Sequence, residues 1–235
     1  SGPHITGVDT SVERTMQDGA ATRRETKDRI LEAAFAHAAF DGWTKRTLTA
    51  AAADAGVDAA AASRLFPRGG DSLVTWIDDW ADRRMLAAVE AERLEAMRVR
   101  DRITALVRAR FEGLDPWREA LRRAAVARSL PQNAAEAVRS LWRTVDRIWA
   151  AAGFPIEAEA GAGRYTRRTT LAGVLVATGI FWLEDRSPGS QDTWAFLDRR
   201  IEDVMRLGRW TAEVRKTADR LRRTVAGARP RQAGG

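Results

Sequence analysis

Apolar side chains recur every three or four residues along almost the whole 235-residue chain, and no stretch alternates them in twos. That period places them on one face of an α-helix and excludes a half-buried strand. The feature therefore predicts an all-α protein. Alanine dominates the composition, which favours helix further, while β-branched and aromatic runs are sparse.

Caps and breakers divide the pattern. Ile30, Leu31, Ala34, Phe35 and Ala38 mark a first helix ending near Asp41-Gly42. Thr44 or Thr47 opens a second, with Leu48, Ala51, Ala52 and Ala55 inward and Gly56 at its end. Asp58 caps a third that stops before Pro67. Asp71 or Ser72 opens a long helix carrying Leu73, Ile77, Trp80 and Leu86. Ile103, Leu106, Val107 and Phe111 mark another, stopped by Gly113. Asp115-Pro116 then reads as a cap with proline at the first helical position. The helix it starts carries Leu121 and Ala125 and closes at Pro131. Val138, Leu141, Val145, Ile148 and Ala152 follow, up to Gly153. After a loop over Gly153–Gly163 comes the most apolar helix, Arg164–Leu183, and Asp192 caps a helix with Trp194, Leu197, Ile201 and Met205. The longest apolar run, Leu171–Leu183, is too short to span a bilayer, which takes about 20 residues.

The organisation expected is a leader or flexible arm over 1–22, a three-helix unit over 23–70, a helical bundle over 71–208, an amphipathic helix over 209–226 and a flexible tail over 227–235. Charge is uneven across these parts. Gly208–Arg231 holds eight basic and two acidic residues, an excess of six against seven for the whole chain. Trp210, Val214, Leu221 and Val225 share one stripe there, with Arg215 and Arg222 among the cations outside it. A cationic helix with such a stripe suits an anionic lipid surface.

Several chemistries lack their parts. The chain has no cysteine, so disulfides, thiolate zinc sites and thiol catalysis are excluded. Its two histidines, His4 and His37, stand apart from any metal-ligand or Ser-His-Asp pattern, and there is no Gly-rich phosphate loop. No enzyme, metal or cofactor is expected.

Arg23–Ile77 resembles the helix-turn-helix domain of the TetR repressor family, through ILEAAF, the Asp41-Gly42 turn, Ala55–Val57 and Leu65-Phe66-Pro67. The reading helix that this implies, Asp58–Arg64, holds four alanines, and only Ser63 and Arg64 have side chains able to donate to DNA. Nucleic acid is therefore not an expected partner, and a ligand-responsive TetR-type repressor is the alternative reading. Three further strings, LPQNAAEAVRSLWRTVDRIWAAAG (Leu130–Gly153), YTRRTTLAGV (Tyr165–Val174) and DTWAFLDRRIEDVMRLG (Asp192–Gly208), resemble the lipid-binding accessory family of ubiquinone biosynthesis, the "Coq nine" family.

That resemblance implies a TetR-like bundle forming homodimers through its C-terminal helices. It implies a non-enzymatic protein with an isoprenoid or quinone lipid in an apolar cavity. It also implies peripheral attachment to a membrane, at the cytoplasmic face of a bacterial inner membrane or on the mitochondrial matrix side, and presentation of the lipid to the demethoxyubiquinone hydroxylase. The partner surface carried over comprises Trp142, Asp146, Trp149, Tyr165 and Arg168. Arg164 stands where the family has an aromatic residue, and the preceding loop is shortened to Glu157–Gly163. Trp142, Asp146 and Trp149 also share a helix face by spacing alone. For the lipid, Leu171, Val174, Leu175, Thr178, Phe181 and Trp182 are the candidates, because their helix is apolar around most of its circumference. The membrane contact is expected from Trp210, Val214, Leu221, Val225, Arg215 and Arg222.

Overall fold

A computed structural model describes residues 10–154, 162–204 and 206, and all regular structure among them is helical. The helices are α1 (Thr10–Asp41), α2 (Lys45–Asp54), α3 (Ala59–Leu65), α4 (Gly70–Ala88), α5 (Ala91–Glu95), α6 (Val99–Leu114), α7 (Arg118–Ser129), α8 (Pro131–Ala151) and α9 (Ala162–Glu184). The last, α10, covers residues 191–204.

The N-terminal unit forms where its caps place it. Thr44 Oγ1 accepts from the Thr47 amide at 3.1 Å, and Asp58 Oδ2 from the Ala61 amide at 3.0 Å. The turn into α4 depends on a glycine: a Cβ on Gly70 would lie 2.0 Å from the Trp43 carbonyl oxygen. Phe35 sits at the centre of the seam with the bundle, its ring centroid 5.7 Å from Trp43, 5.5 Å from Trp80 and 4.7 Å from Trp117. Three indole N–H groups cross this seam. Trp43 donates to the Ala120 carbonyl (2.8 Å), Trp76 to Asp28 (2.9 Å) and Trp80 to Glu32 (3.2 Å).

Four local expectations are corrected. Helix α1 begins at Thr10 and so takes in residues 10–22, exposed from Met16 to Thr22, with the Thr22 and Thr26 hydroxyls donating four residues back. In α4, Met85 is buried and Leu86 faces out. Asp115 does not cap: Pro116 has no amide hydrogen, a tight turn over Asp115–Trp117 joins α6 to α7, and the Asp115 carboxylate pairs with Arg118. Asp192 lies inside the last helical run, and its own amide donates to Ser187 Oγ at 3.0 Å.

The largest difference is in α8. Its inward stripe is Asn133, Ser140, Thr144, Val145 and Ile148, while Val138 is exposed. The reason lies on α4, whose Asp78 and Asp82 face α8 from within the apolar stripe. Buried carboxylates need donors, so hydroxyl-bearing residues occupy the positions opposite them.

Candidate functional site

Asp78 and Asp82 anchor a run of alternating charges. Arg110 of α6 bonds both, reaching Asp78 Oδ1 at 2.8 Å and Asp82 Oδ1 more closely still. Arg128 of α7 reaches Asp78 Oδ2 at 3.0 Å, and Ser140 donates to the same oxygen at 2.6 Å. Arg147 of α8 bridges Asp82 (3.0 Å) and Asp79 (2.7 Å), and Arg83 carries the run from Asp79 (3.0 Å) to Asp28 of α1 (2.7 Å). Burial pushes the Asp78 carboxyl up, but the charges of Arg128 and Arg110 and the Ser140 hydroxyl outweigh it and hold Asp78 below the usual carboxylate range. Burial wins at Asp82, where the nearby Asp78 charge adds to it against Arg110 and Thr144. The sequence signal for this run was a pair of aspartates four apart inside the apolar stripe of α4.

One end of the run reaches a cavity of about 430 Å³ between α4, α6, α7, α8 and α9. Asp78, Arg110, Arg128 and Thr144 form its polar corner. The rest is apolar, including Phe111, Leu114, Leu121, Leu175 and Trp182. Val138, Val176 and Ile180 line it while being about half exposed or more, so the cavity opens between α8 and α9.

Of the six residues expected to hold lipid, Leu175 and Trp182 line this space. Leu171 and Val174 are buried in the core cluster. Thr178 is fully buried on the same face of α9 as Trp182. Phe181 points the other way and stacks on Phe196, with centroids 4.8 Å apart and planes within 8°. Periodicity identified α9, but not the contributions from α4, α6 and α7.

The expected partner surface assembles in part. Arg168 of α9 grips Asp146 of α8 through two bonds of 2.7 and 2.8 Å, and its guanidinium lies 5.1 Å from the Trp142 ring centroid. With Arg139, Arg143 and Thr169 these side chains line a surface groove of about 520 Å³. Trp149 does not line the groove and packs edge-on against Phe154, with centroids 5.9 Å apart. Tyr165 lies on the first turn of α9, and its side chain is outside the described residues. Also outside them are Trp210, Val214, Arg215, Leu221, Arg222 and Val225, the expected membrane contacts. Among the described residues no helix is long and apolar enough to cross a membrane, and no group of three or more histidines and carboxylates could hold a metal ion.

Residues 134–208 match the COQ9 family model. The chain is 30% identical over 214 residues to "Ubiquinone biosynthesis protein COQ9, mitochondrial" of Rattus norvegicus, covering 88% of this chain and 67% of that protein. It is 28% identical to the Homo sapiens protein of the same name, covering 88% and 66%. The chain thus spans about two thirds of the length of these relatives. Among solved structures, a TetR transcriptional regulator from Nitrosomonas europaea ATCC 19718 superposes with a TM-score of 0.61 at 26% identity, covering 76% of this chain and 97% of that one. The bundle is therefore TetR-like.

Proposed function

The chain belongs to the COQ9 family of ubiquinone biosynthesis proteins, and from that premise we propose that it is a non-enzymatic accessory protein that binds an isoprenoid quinone intermediate and presents it to the demethoxyubiquinone hydroxylase. The cavity between α4 and α9 carries the reading. Its lining is mostly apolar, one corner is polar, and its mouth is flanked by exposed aliphatic residues, which is the form of a site for an amphiphile. At about 30 Å³ for a water-sized group, 430 Å³ takes roughly fourteen such groups. That is a substituted ring and the first part of a tail, so the rest of a long tail runs out between α8 and α9.

The groove at Trp142, Asp146 and Arg168 is the surface for the hydroxylase. Val126 and Leu130, exposed apolar residues outside the cavity lining, suit a homodimer contact. The basic segment from Trp210 to Val225 attaches the protein peripherally to anionic lipid, on the cytoplasmic or matrix side of a membrane. Each cation adds about 1 kcal/mol near such a surface.

Mass spectrometry of lipid extracted from protein purified without harsh detergent tests the cavity. Isoprenoid quinones or similar chains are the expected finding, and their absence would overturn it. Deleting residues 210–226 should abolish co-sedimentation with cardiolipin-containing vesicles; unchanged binding would end the membrane role. The fold shared with a transcriptional regulator supports a second reading, a ligand-responsive repressor. The exposed Ala59 and Ala60 of α3 weigh against it, since they offer DNA no donor. A sequence-specific gel shift at physiological salt would decide for the repressor.

A further inference from the structure

Two buried donors on α9 have no partner. Trp182 is 2% exposed and Thr178 is fully buried, yet neither Trp182 Nε1 nor Thr178 Oγ1 makes a hydrogen bond. They stand four residues apart, one turn along a single helix face. Trp182 also lines the cavity.

Helical threonines elsewhere behave differently. Thr22, Thr26, Thr49, Thr75 and Thr170 each donate to the carbonyl four residues back, at 2.6–3.1 Å. Thr178 forgoes that local bond. Trp182 lines the cavity, and Thr178 is outside its lining, one turn earlier on the same face. Buried donors left unmet are costly, so a pair that reaches the cavity wall at Trp182 marks a place where an acceptor belongs. The surroundings limit its charge. Arg118 lies 4.6 Å from the Trp182 ring centroid, so a cationic group is disfavoured there. The Phe111 ring, 5.4 Å from Trp182, provides an apolar flank for a flat group. A third unmet donor, Trp149 Nε1, belongs to α8, on a ring packed against Phe154.

Resting on the lipid-cavity reading above, we infer that Trp182 Nε1 and Thr178 Oγ1 are the donors that hold the head of the bound lipid. The head is an uncharged or anionic group with an accepting oxygen, such as the carbonyl of a quinone ring. It enters first and lies against α9, and the apolar tail leaves past Val138, Val176 and Ile180.

The test is calorimetric titration of the full chain with two probes of equal tail length, a decyl-substituted dimethoxymethylbenzoquinone and decylbenzene. Wild type should prefer the quinone. Trp182→Phe and Thr178→Val should each weaken quinone binding about fivefold, the worth of one net hydrogen bond, with decylbenzene binding unchanged. The carbonyl stretch of bound quinone should move to higher wavenumber in each variant. Thr178→Val keeps side-chain volume and settles the matter if Trp182→Phe fails to fold. Variants that bind quinone as wild type does mean that water meets these donors, and overturn the inference while the lipid cavity stands. Equal affinity of wild type for both probes also overturns it. Wild type binding neither probe overturns the cavity reading and the head site together.

Discussion

Tryptophan serves two different ends in this molecule. Where α1 and the α1–α2 turn meet the bundle, Trp43, Trp76 and Trp80 each fill space and each donate across the seam. In α9, Trp182 is as buried as Trp80, packs at a tilt against Phe111 and lies under Arg118, yet its N–H meets nothing. The first region is complete as folded. The second has shape without satisfaction. Burial alone therefore does not separate a packing residue from a binding residue; the account of its polar atom does.

The contrast is sharpest if the seam and the charged run are costly to disturb while α9 is not. Replacing Arg110 with Ala should have the largest effect, about 3–5 kcal/mol in denaturant unfolding, because Asp78 and Asp82 would be left buried side by side. A loss under 1 kcal/mol would show that water reaches these carboxylates. Trp43→Phe keeps the aromatic cluster but removes the bond to Ala120, and should cost about 1–2 kcal/mol. Trp182→Phe in lipid-free protein should cost less than Trp43→Phe, since each leaves the space of a trimmed ring but only Trp182 gives up a donor that bonds to nothing. Equal losses for the two would erase the distinction between the regions.

A pH-dependent effect concerns the α9–α10 turn. Asp185 accepts from the Ser187 amide at 2.7 Å, the Thr193 amide at 2.9 Å and the Thr193 hydroxyl at 2.5 Å. Partial burial opposes ionisation, but these bonds prevail and lower its pKa from 3.8 to about 2. The folded state thus holds the ionised form more strongly than the unfolded chain does. The stabilisation is complete above pH 3.8 and is lost as pH falls through about 2. Asp185→Asn should accordingly be less stable than wild type near neutrality and draw level only as pH falls below 2, as thermal melts across that range would reveal.

Helix type and most boundaries were legible because they rest on local signals. Gly42, Gly56 and Gly153 adopt the positive φ that ends a helix, and Pro131 opens α8. The inward face of α8 was not legible in this way. Counting apolar residues put Val138 inside, whereas α4 selects Ser140 and Thr144 for its carboxylates. That preference comes from a helix about sixty residues away in sequence. The cavity was legible only on α9, since its other walls are set by how α4, α6 and α7 pack. Arg168 meeting Asp146 joined two stretches that spacing treats separately, whereas the resemblance had already named both residues.

The run from Asp28 to Arg128 has four carboxylates and four guanidinium groups, so it sums to zero. The chain's surplus of seven positive charges therefore lies outside this run, six of them by sequence within Gly208–Arg231. Salt acts strongly on exposed charges and little on buried pairs. Ionic strength should therefore govern what this protein touches while leaving its scaffold alone, and a concentrated salt wash becomes a means of stripping companions from an intact fold.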